Sequence, residues 1–210
     1  MARSRAENYD QARDAILAKA IALFAKEGYP SASMSALAKA CNLSKAGLYH
    51  YYPSKEAILS DALLKYTLHL KSLAESIAAQ PDTNSNTNTN TAKKRLEALI
   101  LGFLEEYRHS KDLHVVLLHD VEFLPKAHQQ PIKANERDVV EVFAAAIQAA
   151  FPSKITPLNR KPLTMSLLGA INFTFAWLKR DGEVSYAQYG EWVADVWIKG
   201  LESHQPEEHC

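Results

Sequence analysis

The sequence predicts an all-α protein, and three observations carry the prediction. Apolar residues recur at three- and four-residue intervals through nearly every periodic stretch of the 210-residue chain. No run shows β-branched alternation bounded by turn pairs. The breaks between periodic stretches hold residues that end helices: Gly28 ahead of Pro30, then Pro125, Pro131, "FPSKITP" and the pair Asp181-Gly182. With 47% hydrophobic residues, the chain can bury a substantial core in one or two domains.

The first helix, in "YDQARDAILAKAIALFAKEGYP", sets Ile16, Leu17, Ala20, Ile21, Leu23 and Phe24 at helical spacing and stops at Gly28 and Pro30. The preceding "MARSR" reads as a frayed terminus. Short helices are expected at 34–41 and 45–51, and a long one from 54 to 79. Residues 82–91, "DTNSNTNTNT", have nothing to pack and read as a mobile loop. Further helical patterns cover 92–109, 111–123, 128–150, 161–180 and 185–203. The run at 161–180 is apolar on almost every face, so one side can pack within its own protomer while another needs a cover.

Charge is balanced overall, with 24 basic and 24 acidic residues, yet residues 1–56 hold eight Lys/Arg against five Asp/Glu. That leaves +3 at the front and −3 behind it, a sign that suits an N-terminal part meeting an anion. Two cysteines, Cys41 and Cys210, imply no disulfide framework. No apolar signal core opens the chain, and no apolar run approaches bilayer length. The expectation is a cytoplasmic protein with no membrane partner.

The stretch "NLSKAGLYHYYPSKEAIL", residues 42–59, carries the chemistry. On a helical wheel, Ser44, Leu48, Tyr51 and Tyr52 cluster on one side and Lys45, Ala46, Tyr49 and His50 on the other. Leu48 and Tyr52 can anchor the helix. Lys45, Tyr49 and His50 are left facing outward beside Ala46 and Gly47, which permit close approach to a phosphate-lined groove. Gly47 costs roughly 1 kcal/mol of helix propensity relative to alanine. Ahead of this helix, Ser33 can cap "MSALAKAC", Asn42 suits a left-handed turn, and Ser44 can cap the second helix. Two short helices joined by a tight turn form the geometry that seats a recognition helix in the DNA major groove. Pro53 and Ser54 open the next helix, whose first amides and Lys55 could hold a phosphate.

The stretch "ILAKAIALFAKEGYPSASMSALAKACNLSKAGLYHYYPSKEAIL", within residues 10–59, resembles the DNA-binding domain of TetR-family transcriptional regulators, including the L-Y-H-x-[FY] element and the P-S-K-E that follows. This chain has Asn42 where the family usually carries Gly, and Ala46-Gly47 where Gly-Thr is commoner. The resemblance implies a three-helix helix-turn-helix domain over 1–56 and a helical ligand-binding and dimerisation domain over 57–210. It also implies that Lys45, Tyr49 and His50, with Ser33, Ser35 and Lys55, contact double-stranded operator DNA. Tyr51 lies at the edge of both faces and suits either role. Arg3 and Arg5 are candidates for a basic arm in a minor groove. The function implied is a repressor that releases its operator when a small molecule binds the larger domain.

The C-terminal helices carry Phe103, Tyr107, Phe123, Phe143, Phe173, Phe175 and Trp177, with Asn172 a lone amide inside "LLGAINFTFAW". Rings with one or two polar groups are the usual lining of an organic-ligand site, and equally the filling of a core. The segment "INFTFAWLKRDGEVSY" resembles family members that sense acyl-CoA thioesters, which nominates Lys126, Lys133, Arg137, Lys179 and Arg180 for the nucleotide end. On the last helix, Val193, Val196, Trp197 and Leu201 repeat at helical steps and could pair with helix 161–180 of a second copy in a homodimer. No cofactor and no metal is implied. Two alternatives stand beside this reading. One is a metal-dependent or acid/base enzyme using His109, His114, His119, Asp120 and Glu122. The other is a DNA binder without sequence preference, which would need a more basic chain.

Overall fold

The computed structural model describes residues 2–80 and 89–203, with side chains from Glu7 onward. Nine α-helices occur among the described residues: α1 (Ala2–Glu27), α2 (Met34–Ala40), α3 (Lys45–Tyr51), α4 (Lys55–Ala78), α5 (Thr89–His109), α6 (Lys111–Asp120), α7 (Lys126–Ala150), α8 (Arg160–Asn172) and α9 (Tyr186–Ser203). Two 3-10 turns, Val121–Phe123 and Phe173–Ala176, follow α6 and α8. No strand occurs among these residues, and none of their helices is long and apolar enough to cross a membrane.

The chain divides into two compact units. The first comprises residues up to Leu68 together with Lys111–Lys133, and the second comprises His69–Ser110 with the chain from Ala134 onward. This division differs from the expected boundary at 56 for two reasons. Helix α4 continues unbroken through residue 56, and α6 belongs with the first unit, where it packs on α1. The core of the first unit includes Ile16, Ala20 and Phe24 of α1, Leu37 of α2, Leu48 of α3, Ile58, Leu59 and Leu63 of α4, and Val116 of α6, all buried.

In the second unit α5 buries Leu96, Leu99, Ile100, Phe103, Leu104 and Tyr107 along one face and packs against α8 and α9. Close approach of α5 and α9 depends on Gly190, where a Cβ atom would meet Leu101 Cδ2 at 2.7 Å and Leu104 Cδ1 at 3.0 Å. Gly102 faces α4, where a Cβ atom would stand 2.7 Å from the terminal Cδ1 of Ile77.

Several expected boundaries move. Helix α1 begins at Ala2, so the backbone of the first residues is helical rather than frayed, in keeping with the helix propensity of Ala2, Arg3, Arg5 and Ala6. Most of the polar stretch 82–91 lies outside the described residues, but Thr89, Asn90 and Thr91 form the first turn of α5. Pro125 starts α7 instead of separating it, because its carbonyl accepts the amides of His128 (2.8 Å) and Gln129 (3.1 Å). Pro131 lies inside α7 and forfeits one intrahelical bond, to the carbonyl of Ala127. The run at 161–180 is not one helix: α8 ends at Asn172 and tightens into the 3-10 turn. There the buried Thr174 donates its hydroxyl to the Ile171 carbonyl at 2.8 Å.

Candidate nucleic-acid interface and effector core

Three short polar residues build the α2–turn–α3 segment. Ser33, in extended conformation, accepts the Ala36 amide on Oγ at 3.1 Å and caps α2. At the other end, the Leu43 amide donates to the Ala38 carbonyl (2.9 Å) and the Asn42 amide to the Lys39 carbonyl (3.1 Å). Asn42 itself takes φ 57°, completing a Schellman turn. Ser44 then caps α3, accepting the Gly47 amide at 2.9 Å.

This framework turns Leu37 and Leu48 wholly inward and leaves Ser33, Ser35, Lys45, Ala46, Tyr49 and His50 exposed, with Gly47 half-buried beside them. Gly47 also has a local structural reason, because a Cβ atom there would lie 3.1 Å from Ser44 Oγ and crowd the cap. Tyr51 occupies the flank, its ring stacked on Tyr9 of α1.

Contacts that the sequence pattern did not reveal brace this surface. Tyr52 is 2% exposed, and its hydroxyl donates to Asp61 Oδ2 at 2.6 Å. Arg13 donates through Nε to the Tyr52 hydroxyl (3.2 Å) and through Nη2 to Asp61 Oδ2 (2.7 Å), so α1, α4 and the end of α3 share one knot. Burial, reinforced by the Asp61 carboxylate, pushes the Tyr52 phenol well above its ordinary range. The Lys55 ammonium donates to the carbonyls of Tyr29 (3.1 Å), Pro30 (3.3 Å) and Ala32 (3.1 Å) and stands 4.4 Å from the Tyr29 ring centroid. Its donors are therefore occupied by the loop between α1 and α2. Phe123, nominated for a ligand site, belongs to the first unit, where it stacks against Tyr29 at 5.6 Å.

In the second unit Phe103 and Phe143 are fully buried and meet edge to face at 4.9 Å. Tyr107 packs on Phe103 at 5.9 Å and donates its hydroxyl to Asn172 Oδ1 at 2.8 Å. Burial, with Glu106 and Glu136 nearby, drives the Tyr107 phenol far above its usual range. These four residues form one set. Phe173 and Trp177 instead lie largely exposed, at 60% and 48%. Phe173 packs edge-on to the half-buried Phe175, and Trp177 edge-on to Tyr189. Of the nominated cations, Lys133 pairs with Glu122 at 2.6 Å, while Lys126, Arg137, Lys179 and Arg180 are exposed.

The apolar residues of α9 divide between two faces. Val193 and Leu201 are buried within the protomer, Trp197 is half-buried, and Val196 is 70% exposed beside Trp192 at 55%. Met165 of α8 is also exposed. In the histidine-rich stretch, His109 pairs with Glu105 at 2.9 Å one helical turn away, and His114 is buried in α6. Among the described residues, no group of three His, Cys, Asp or Glu is arranged to hold a metal ion.

The family model described as "Bacterial regulatory proteins, tetR family" matches residues 16–62, and that of the "Tetracyclin repressor-like, C-terminal domain" matches residues 89–201. The chain belongs to the TetR family. A TetR-family transcriptional regulator from Bordetella parapertussis, known from its crystal structure, is 30% identical with a TM-score of 0.82, the match covering 92% of this chain and 97% of that one. The TetR-like fold is shared with AibR, solved in complex with isovaleryl coenzyme A and operator DNA, at 26% identity and a TM-score of 0.71, over 90% of this chain and 97% of that one. The HTH-type regulator YerO of Bacillus subtilis is 29% identical over 113 residues, which is 52% of this chain and 36% of that protein. UidR of Escherichia coli is 42% identical over 53 residues, 25% of this chain and 27% of that protein. The TetR-family chain thus matches only about a quarter to a third of the length of these two relatives.

Proposed function

We propose that this chain is a transcriptional repressor that binds operator DNA as a homodimer in the cytoplasm and releases it when a small organic effector occupies the second unit. The observation that carries the reading is the two-faced helix α3. Leu48 is fully buried while Lys45, Ala46, Tyr49 and His50 are exposed, on a helix held in place by the Ser44 cap and the Asn42 turn. Lys45 and His50 supply donors for base edges and Tyr49 one for a phosphate. Binding without sequence preference fits poorly, because a chain with zero net charge neutralises few phosphates. Regulation of this kind needs no catalysis.

For the effector, the buried rings Phe103, Phe143 and Tyr107, with the Tyr107–Asn172 hydrogen bond beside them, are the candidate contacts. AibR, crystallised with isovaleryl coenzyme A, supports an acyl-CoA thioester as the class to try first. For the dimer, Trp192, Val196 and Trp197 of α9 with Met165 of α8 supply an apolar face for a second copy.

Selection from a randomised duplex library with the full chain tests the DNA reading. The expected product is a pair of related half-sites whose centres lie about 34 Å, one DNA turn, apart or a multiple of it. Failure to enrich any duplex over the starting pool overturns it. Thermal shift and gel retardation then test the effector. Acyl-CoA thioesters should raise the melting temperature and release the selected duplex, while the matching free acids do much less. Free acids acting where thioesters do not would remove the CoA assignment and leave the DNA reading intact.

A further inference from the structure

We infer that Tyr9, on α1 and outside the helix-turn-helix, is a positioning residue for DNA reading that holds the C-terminal end of the recognition helix through Tyr51 and His50. The inference rests on α3 being the DNA-reading helix. Tyr9 stacks on Tyr51 with ring centroids 5.0 Å apart and planes inclined by 25°. It also meets the His50 ring edge-on, at 6.2 Å and 88°. His50 and Tyr51 close the cluster at 5.4 Å and 78°. The offset-stacked and edge-to-face arrangements are those that aromatic quadrupoles favour.

The setting makes this a surface clamp. Tyr9 is 37% exposed, so its ring is not a core filler. Tyr51 also lines a small pocket together with Ala12, Ala15, Ile16 and Leu43. Helix α3 has seven residues; the Ser44 cap holds its start, Leu48 its middle and the Tyr52 knot the residue that follows it, and none of these lies on its exposed row. Its last turn carries His50 on the exposed row. The orientation of that imidazole, and so the direction of its hydrogen bonds, is then set from α1, some forty residues earlier in the sequence.

The test uses the full chain, the duplex that the wild type selects from a randomised library, and a scrambled duplex of equal length. Tyr9→Ala should weaken binding to the selected duplex about three- to tenfold, the range expected for loss of an aromatic pair. Its preference over the scrambled duplex should narrow, and its melting temperature should stay close to wild type. Tyr9→Phe, which keeps the stack, should bind within about twofold of wild type. Tyr9→Gln, which keeps helix propensity, should behave as Tyr9→Ala. Adding Tyr9→Ala to Tyr51→Ala should cost little more than Tyr51→Ala alone.

Selected-duplex affinity unchanged in Tyr9→Ala and Tyr9→Gln overturns the inference while leaving the DNA reading in place. Equal losses on both duplexes, shared by Tyr9→Phe, also overturn it, since they mark a phosphate contact by the phenol. A wild type that selects no duplex overturns the DNA reading and this inference together.

Discussion

Tyr52 donates its hydroxyl to Asp61 Oδ2 at 2.6 Å, and the same carboxylate oxygen accepts Arg13 Nη2 at 2.7 Å. Removing Asp61 leaves two donors without their acceptor in a site where the Asp61 side chain is 22% exposed and that of Arg13 33%. Partial solvation tempers the loss. Asp61→Ala should therefore cost about 1–2 kcal/mol and Tyr52→Phe about 1 kcal/mol. Urea denaturation of each variant measures both, and a Tyr52→Phe protein as stable as wild type would contradict the knot.

Lys55 and Lys45 should separate cleanly. Lys55 donates to three loop carbonyls, so Lys55→Met, which keeps the stem, should lower stability by about 1–2 kcal/mol. Lys45 is exposed, and Lys45→Ala should leave the melting temperature alone while weakening the selected duplex and blurring base preference. Unchanged stability in Lys55→Met would return Lys55 to the phosphate-contact role that the sequence pattern suggested.

Asn42, at φ 57°, occupies backbone space that disfavours a plain Cβ. Asn42→Ala should cost about 1 kcal/mol, and Asn42→Gly should be nearly neutral or slightly stabilising. Chemical denaturation of the pair checks the sign, and equal stability of the two variants would argue against strain at the turn.

The two faces of α9 predict opposite outcomes. Val196 is 70% exposed and Val193 only 7%. Val196→Glu should yield a folded monomer in sedimentation, with little loss of protomer stability. Val193→Ala should keep the oligomeric state and lower stability by about 1–2 kcal/mol. A dimer that survives Val196→Glu moves the interface elsewhere.

Alkaline pH should expose the buried phenols. Tyr52 and Tyr107 have folded-state pKa values raised by burial. Their contribution to stability is therefore complete below the unfolded value, about 10, and is lost as pH rises past it. The urea midpoint should hold through about pH 9 and fall above about pH 10. The fall should be shallower in Tyr107→Phe. A midpoint constant to about pH 11 contradicts this assignment.

Local signals made the helices and the two faces of α3 legible. Ser33, Asn42 and Ser44 each act within five residues of themselves, and helical period alone separates Leu48 from Lys45 and Tyr49. Long-range partners were not legible. Arg13 and Tyr52 are 39 residues apart and Lys55 and Tyr29 are 26 apart, and nothing in either segment names the other. Period also could not decide which apolar face of α9 meets its own α5. That choice turns on Gly190, whose missing side chain admits Leu101 and Leu104. Phe123 resembled the other rings in composition, and only the fold pairs it with Tyr29 rather than Phe103. Pro131 marked a break by its chemistry, yet one lost bond did not interrupt a helix of 25 residues.

The return of α6 to α1 has a consequence for how such chains can be recombined. Val116 and Leu117 of α6 are buried in a unit that also holds α3, although the intervening chain contributes α5 to the other unit. The two units are therefore interleaved along the polypeptide rather than strung in series. An N-terminal third spliced onto a relative would arrive without its own α6 and would have to accept the host's side chains against α1. Chimeras that carry residues 111–133 along with the front segment should fold better than those joined at a single crossover, which makes this short return stretch the unit of exchange as much as the helix-turn-helix segment itself.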